Sequence, residues 1–200
     1  MVEWYDFTLY LYLATVLSRV FFTDEGSILV TLGGSAVAYL MRPVGAVVFG
    51  HIGDRHGRRP AMLISMALMT AAMLATALLP TYAQVGPLAG VLLLLIRCIM
   101  GSSVGGEYTG VVAYLLEGAP PHRRGLITSL AAASSEVGAL LAAGVAAVTA
   151  SAMSNEALEG WGWRVPCLVG AGLAAAILLA RAVVRESPEF RKVALAAPAK

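Results

Sequence analysis

The sequence predicts an all-α membrane protein built from six transmembrane helices, and three observations carry that expectation. Of the 200 residues, 58% are hydrophobic and 13% charged, roughly half the charged fraction of a soluble domain. The mean hydropathy is +0.78. The apolar residues fall into six runs close to or above the ~20 residues that a helix needs to cross a bilayer, and the charges gather between them.

The first run covers residues 2–22 and ends at Thr23-Asp24-Glu25-Gly26. The second, 29–49, is rich in Gly and Ala. The third, 61–79, stops at Pro80, after which Thr81-Tyr82-Ala83-Gln84 reads as a turn. The fourth, 87–116, is long enough to tilt or to project from the bilayer. The fifth covers 125–152 and the sixth 163–184. All are too long and too uniformly apolar for barrel strands, which alternate over about 10 residues.

Between the second and third runs, Gly50-His51-Ile52-Gly53-Asp54-Arg55-His56-Gly57-Arg58-Arg59-Pro60 concentrates one acid, three arginines and two histidines. Such density between apolar runs predicts a short aqueous turn, with glycines for tight bending and Pro60 in the first turn of the next helix. Arginines and lysines also follow the fourth run (Arg123, Arg124) and the sixth (Arg185, Arg191, Lys192, Lys200), whereas the other face has only Arg19 and Arg164. Positive charge favours the cytoplasmic side, so both termini are expected there. Residues 154–160, with two acids, are expected outside.

Composition also excludes function classes. Met1 leads directly into Glu3-Trp4-Tyr5-Asp6 without the basic region and cleavage site of a secretory signal, so the chain is expected to begin at its first span. The net charge is only +2, and no basic tract with interleaved aromatics points to nucleic acid. Cys98 and Cys167 lie in apolar runs, where cysteine acts as a small apolar residue; neither a disulfide nor a metal or other cofactor is expected. His51, His56 and His122 all lie in connections, which leaves a buried serine without the histidine base of an intramembrane protease.

Ionisable groups within spans are costly and usually face the bundle interior or an aqueous cavity. The candidates are Glu3 and Asp6 in helix 1, Arg42 in helix 2, Arg97 and Glu107 in helix 4, and Glu136 in helix 5. For Glu3 and Asp6 an interfacial position competes with a functional one; for Arg42, Arg97 and Glu107 a buried structural ion pair competes; Glu136 reads as a carboxyl kept protonated by desolvation. Gly33, Gly34 and Gly45 in helix 2, and Gly101, Gly105 and Gly106 in helix 4, form small-residue faces for close helix packing. Trp4, Tyr5, Tyr10 and Tyr12 read mostly as interfacial anchors, some of them lining a cavity.

The GxxGDRxGRR order of residues 50–59 closely resembles the signature loop of the major facilitator superfamily. Glu3-Trp4-Tyr5-Asp6-Phe7, Arg42-Pro43-Val44-Gly45, Ser103 to Gly110 (SVGGEYTG), Gly162-Trp163-Arg164-Val165-Pro166 and Glu186-Ser187-Pro188-Glu189-Phe190 resemble its metabolite:proton symporter branch. The resemblance implies that the chain is the N-terminal half of a twelve-helix bundle. Residues 1–186 form the bundle, as inverted three-helix repeats over about 1–80 and 87–186, and 187–200 form a tail or the start of a central loop.

The resemblance further implies proton-coupled uptake of a small organic solute, an organic acid or a zwitterionic osmolyte, through a bacterial-type inner membrane by alternating access. The partners are then the solute, protons, the bilayer and a second half-transporter. Glu107 is expected to carry the proton, with Asp6 second and Arg42 as its counter-charge. Arg42, Arg97 and Tyr10 are expected at the substrate, and Asp54, Arg55, Gly57, Arg58 and Arg59 at a cytoplasmic gate, where Asp54 ties helix ends together through arginines of its own loop or a helix N-terminus. Ala131-Ala132-Ala133 and Glu136 depart from the family pattern. A drug or metabolite antiporter and a non-transporting half are the rival readings.

Overall fold

A computed structural model describes residues 1–22 and 27–183, with the side chains at 27, 107–110, 113, 117 and 118 outside that description. The helices, in chain order, are α1 (Val2–Tyr12), α2 (Ala14–Phe21), α3 (Ser27–His56), α4 (Arg58–Leu78), α5 (Tyr82–Val85), α6 (Leu88–Gly118), α7 (Arg124–Ala152), α8 (Asn155–Ala157) and α9 (Arg164–Ala182). A 3₁₀ turn, Pro121–Arg123, precedes α7, and a π turn, Leu158–Gly162, precedes α9.

Five helices, α3, α4, α6, α7 and α9, are each long and apolar enough to cross a membrane. The sixth crossing is made by α1 and α2 together. At Leu13 the regular geometry lapses, yet Leu13 N–H donates to Leu9 O at 2.9 Å and Leu17 N–H to Leu13 O at 2.8 Å, so the rod continues through the irregularity. Backbone groups in hydrocarbon need such internal partners, which is why an apolar run of this length becomes a helix.

Two connections differ from expectation. The Gly50–Pro60 stretch is mostly helical: α3 runs to His56 and α4 starts at Arg58, so the chain turns at Gly57 alone, at φ 106°. His51, Asp54, Arg55 and His56 are exposed on the helix itself and need no loop to reach water. Residues 82–85 form one helical turn fixed by a reciprocal cap, in which Thr81 N–H donates to Gln84 Oε1 at 3.1 Å. The tail beyond 183 and the Thr23-Asp24-Glu25-Gly26 corner lie outside the described residues.

The most extensive packing is between α3 and α6, followed by α4 with α6, α1 with α7 and α4 with α9. The glycines expected to permit close approach do so at the first of these. A β-carbon on Gly45 would collide with the Ser102 carbonyl, one on Gly101 with that of Ala38, and one on Gly105 with that of Arg42. Gly106 sits under the Phe49 ring, whereas Gly33 faces open space. The core adds the methionines Met66, Met69 and Met73 of α4 and Met100 of α6, and Trp163 edge-on to Phe21 at 5.2 Å. Arg164 donates to the Ala77 and Leu79 carbonyls at 3.0 and 3.1 Å, which ties the start of α9 to the end of α4 by satisfying orphan carbonyls there. Leu40, Val47, Leu140, Val148 and Leu179 point outward, as suits an apolar solvent.

Candidate functional site

Glu3, Asp6 and Tyr10 recur at spacings of three and four residues, so they lie on one face of α1, and that face meets α3 and α6. Arg97 of α6 donates from Nη1 to Asp6 Oδ2 at 2.8 Å and from Nη2 to Asp6 Oδ1 at 3.0 Å. This two-pronged geometry is the strong form of the arginine–carboxylate contact. The guanidinium also lies over the Tyr10 ring, 4.4 Å from its centre, and Tyr10 in turn donates to Thr31 O at 2.8 Å. Arg97 is 4% exposed.

A second pair stands beside the first. Arg42 Nη1 lies 3.2 Å from Glu3 Oε1, and the Arg42 guanidinium sits 4.0 Å above the Tyr39 ring. Tyr39 is held edge-on by Phe7, and Phe7 by Trp4. The expected partnership of Asp6 with Arg42 is therefore corrected: Asp6 pairs with Arg97, and Arg42 with Glu3. Glu3 is buried within the protein. Tyr5 and Tyr10 are not interfacial anchors, since both are buried and Tyr5 donates to Pro166 O at 2.8 Å.

The Glu3–Arg42 pair forms part of the wall of a cavity of about 440 Å³ that Trp4, Pro43, Ala46, Val104, Gly105, Ala132, Ser135 and Glu136 also line. Four spans, the first, second, fourth and fifth, contribute to it. Arg42 lies in this wall, while Arg97 is in the buried pair with Asp6 and Tyr10 lies beneath its guanidinium. Glu136, set aside in the sequence as a protonated carboxyl, faces the cavity. The signal that would have found it is helical spacing: Ala132, Ser135 and Glu136 share one face of α7. The Glu107 side chain lies outside the described residues, although its backbone belongs to α6.

At the Gly57 turn, Arg58 Nη1 reaches Asp54 Oδ1 at 2.9 Å, so the partner of Asp54 belongs to its own segment. The Asp54 side chain is 69% exposed, and such a pair contributes no more than about 0.5 kcal/mol. The stronger link between helix ends is Arg59, which donates to Ala182 O at 2.6 Å and so joins the start of α4 to the end of α9. Arg55 is exposed.

Comparison with known proteins adds the following. The family described as "Sugar (and other) transporter" matches residues 2–194. A glycine betaine/proline/ectoine/pipecolic acid transporter of Dickeya dadantii is 36% identical over 194 residues, 96% of this chain and 39% of its own length. The alpha-ketoglutarate permease of Escherichia coli is 38% identical over 198 residues, 98% of this chain and 46% of its own. Among solved structures, a proton:xylose symporter of the major facilitator superfamily superposes with a TM-score of 0.84 at 22% identity, over 94% of this chain and 43% of that one. The chain thus spans less than half the length of the proteins it matches.

Proposed function

The chain belongs to the sugar (and other) transporter family of the major facilitator superfamily, and from that membership we propose that it forms one wall of a proton-coupled symporter for a small organic solute. The observation that carries the reading is the juxtaposition of two carboxylate–arginine pairs, one buried and one in the wall of a 440 Å³ cavity between spans. Coupling needs a carboxyl whose proton affinity changes as its partner moves. Asp6 supplies that arrangement: when it is ionised Arg97 is held, and when it is protonated Arg97 is released. Arg42, Glu3 and Glu136 then present both signs of charge to the solute. Asp54, Arg55, Gly57, Arg58 and Arg59 serve the cytoplasmic gate, with Arg59 as the main tie. The inverted repeat relates the span carrying Asp6 to the span carrying Arg97, and a second six-helix half closes the cavity.

The test is uptake of proline, glycine betaine and 2-oxoglutarate into vesicles under an imposed pH gradient, by the chain alone and together with a second half. Uphill accumulation of one of them, abolished by a protonophore, is the expected result; none with any of the three overturns the reading. The double variant Asp6→Asn/Arg97→Met is expected to lose uphill accumulation and keep counterflow, and Glu107→Gln to keep both. The reverse outcome moves the proton to Glu107. The same assay on Asp54→Asn and Arg59→Ala reads the gate, with the larger loss expected at Arg59.

The protein is a multi-pass membrane protein, and we place it in a bacterial inner membrane with residues 54–59 and 122–124 on the cytoplasmic side. Single cysteines at Ser154 and Arg58, in a background lacking Cys98 and Cys167, distinguish the two sides. An impermeant thiol reagent on whole cells is expected to label position 154 and spare 58; the opposite pattern inverts the assignment.

A further inference from the structure

Beside the Glu3–Arg42 pair is a second, smaller space of about 20 Å³, bounded in part by Asp6, Ser35 and Arg97. It shares Glu3, Arg42 and Val104 with the large cavity, so the two spaces adjoin at the ion pair. A space of this size accommodates a single water when polar groups are there to hold it. Two such groups lack partners. Ser35 Oγ, in a residue 8% exposed, and Arg97 Nε are both buried without a hydrogen bond. Ser35 also departs from the habit of other hydroxyls in these spans: Thr70, Thr76, Ser102 and Thr149 all donate back to the carbonyl four residues earlier, as helical Ser and Thr commonly do. A buried hydroxyl left unpaired loses its hydration without compensation, which favours a partner in the adjoining space.

We propose that this space holds one ordered water bonded to Ser35 Oγ and Arg97 Nε, and that the water relays protons between the large cavity and Asp6. In the loading direction the Asp6 carboxylate takes a proton from the water, and the water is restored by a proton from Glu3, which is recharged from the large cavity. One O–H bond forms as one breaks at each step, and the net transfer is one proton onto Asp6. Ser35 is a positioning residue, since it acts through the water. The proposal rests on the reading of Asp6 as the proton carrier.

Two measurements test it separately from that reading. An experimental structure in lipid at a resolution that shows water is expected to place a peak within hydrogen-bond distance of Ser35 Oγ; an empty site overturns the proposal. In the uptake assay with the second half present, Ser35→Ala is expected to slow pH-driven accumulation roughly a hundredfold, the low end of what a positioned proton-transfer group contributes, with counterflow unchanged. Ser35→Thr, which keeps the hydroxyl, is expected to restore the rate, an outcome that a merely structural role for Ser35 does not produce. A Ser35→Ala protein that accumulates solute at the wild-type rate, or loses counterflow equally, overturns the relay. A wild-type protein without pH-driven accumulation overturns the symport reading instead, whether or not the water is present.

Discussion

Asp6→Asn is expected to lower stability by about 3–5 kcal/mol, the cost of leaving one member of a buried ion pair alone. Arg97 is almost completely enclosed, and a guanidinium cannot discharge itself by losing a proton. With Asp6 neutral, it keeps only the Tyr10 ring and weaker acceptors. Arg97→Met is expected to cost less, because the Asp6 side chain left behind is the more accessible partner, 15% exposed against 5% for Arg97, and so is less completely desolvated. Combining the two changes is expected to recover much of the loss, since a neutral pair of similar volume often packs as well as the ions it replaces. Thermal unfolding in detergent, followed by size exclusion, for the wild type, both single variants and the double variant gives the coupling between the two positions. Strictly additive losses would show that the pair is incidental to the fold.

Gly105→Val is expected to be comparably damaging, for a different reason. The β-carbon at this position would meet the Arg42 carbonyl, and equivalent additions at Gly45 and Gly101 would meet the carbonyls of Ser102 and Ala38. A flexible side chain can swing aside, but a helix backbone moves only with the whole helix. The loss is therefore expected at or beyond the upper end of the ~1–3 kcal/mol typical of overpacking. Gly33→Ala and Gly50→Ala are the controls: both positions are open, and alanine there gains up to about 1 kcal/mol of helix propensity. The measurement is the yield of monodisperse protein and its melting temperature across the wild type and the three variants. Equal behaviour of Gly105→Val and Gly33→Ala would disprove the tight seam. Because α3 carries Arg42 and α6 carries Arg97, opening the seam is also expected to pull the two ion pairs apart.

The six crossings, their order and the glycine faces at 45, 101 and 105 were legible in the sequence by itself. An apolar run of about 20 residues has essentially one way to satisfy its backbone in hydrocarbon, and small residues on one face of two such helices leave room for close approach. The ionisable residues were legible for the same reason, as costly exceptions within apolar runs. Their partnerships were decided only in the tertiary structure. Glu3 and Asp6 lie on one face of α1, about 4.5 Å apart along its axis, and either could have met Arg42. The choice depends on how far α1 slides relative to α3 and α6, and no local sequence pattern sets that offset. It is fixed by contacts distant in sequence: Met1 against Gly138, Tyr5 on Pro166, and Tyr10 on Thr31. The same offset brings Glu136 to the large cavity and Ser35 to the small one. Side chains tens of residues apart became neighbours there because rigid helices, once their packing faces are chosen, leave a single register that also buries the charges in pairs.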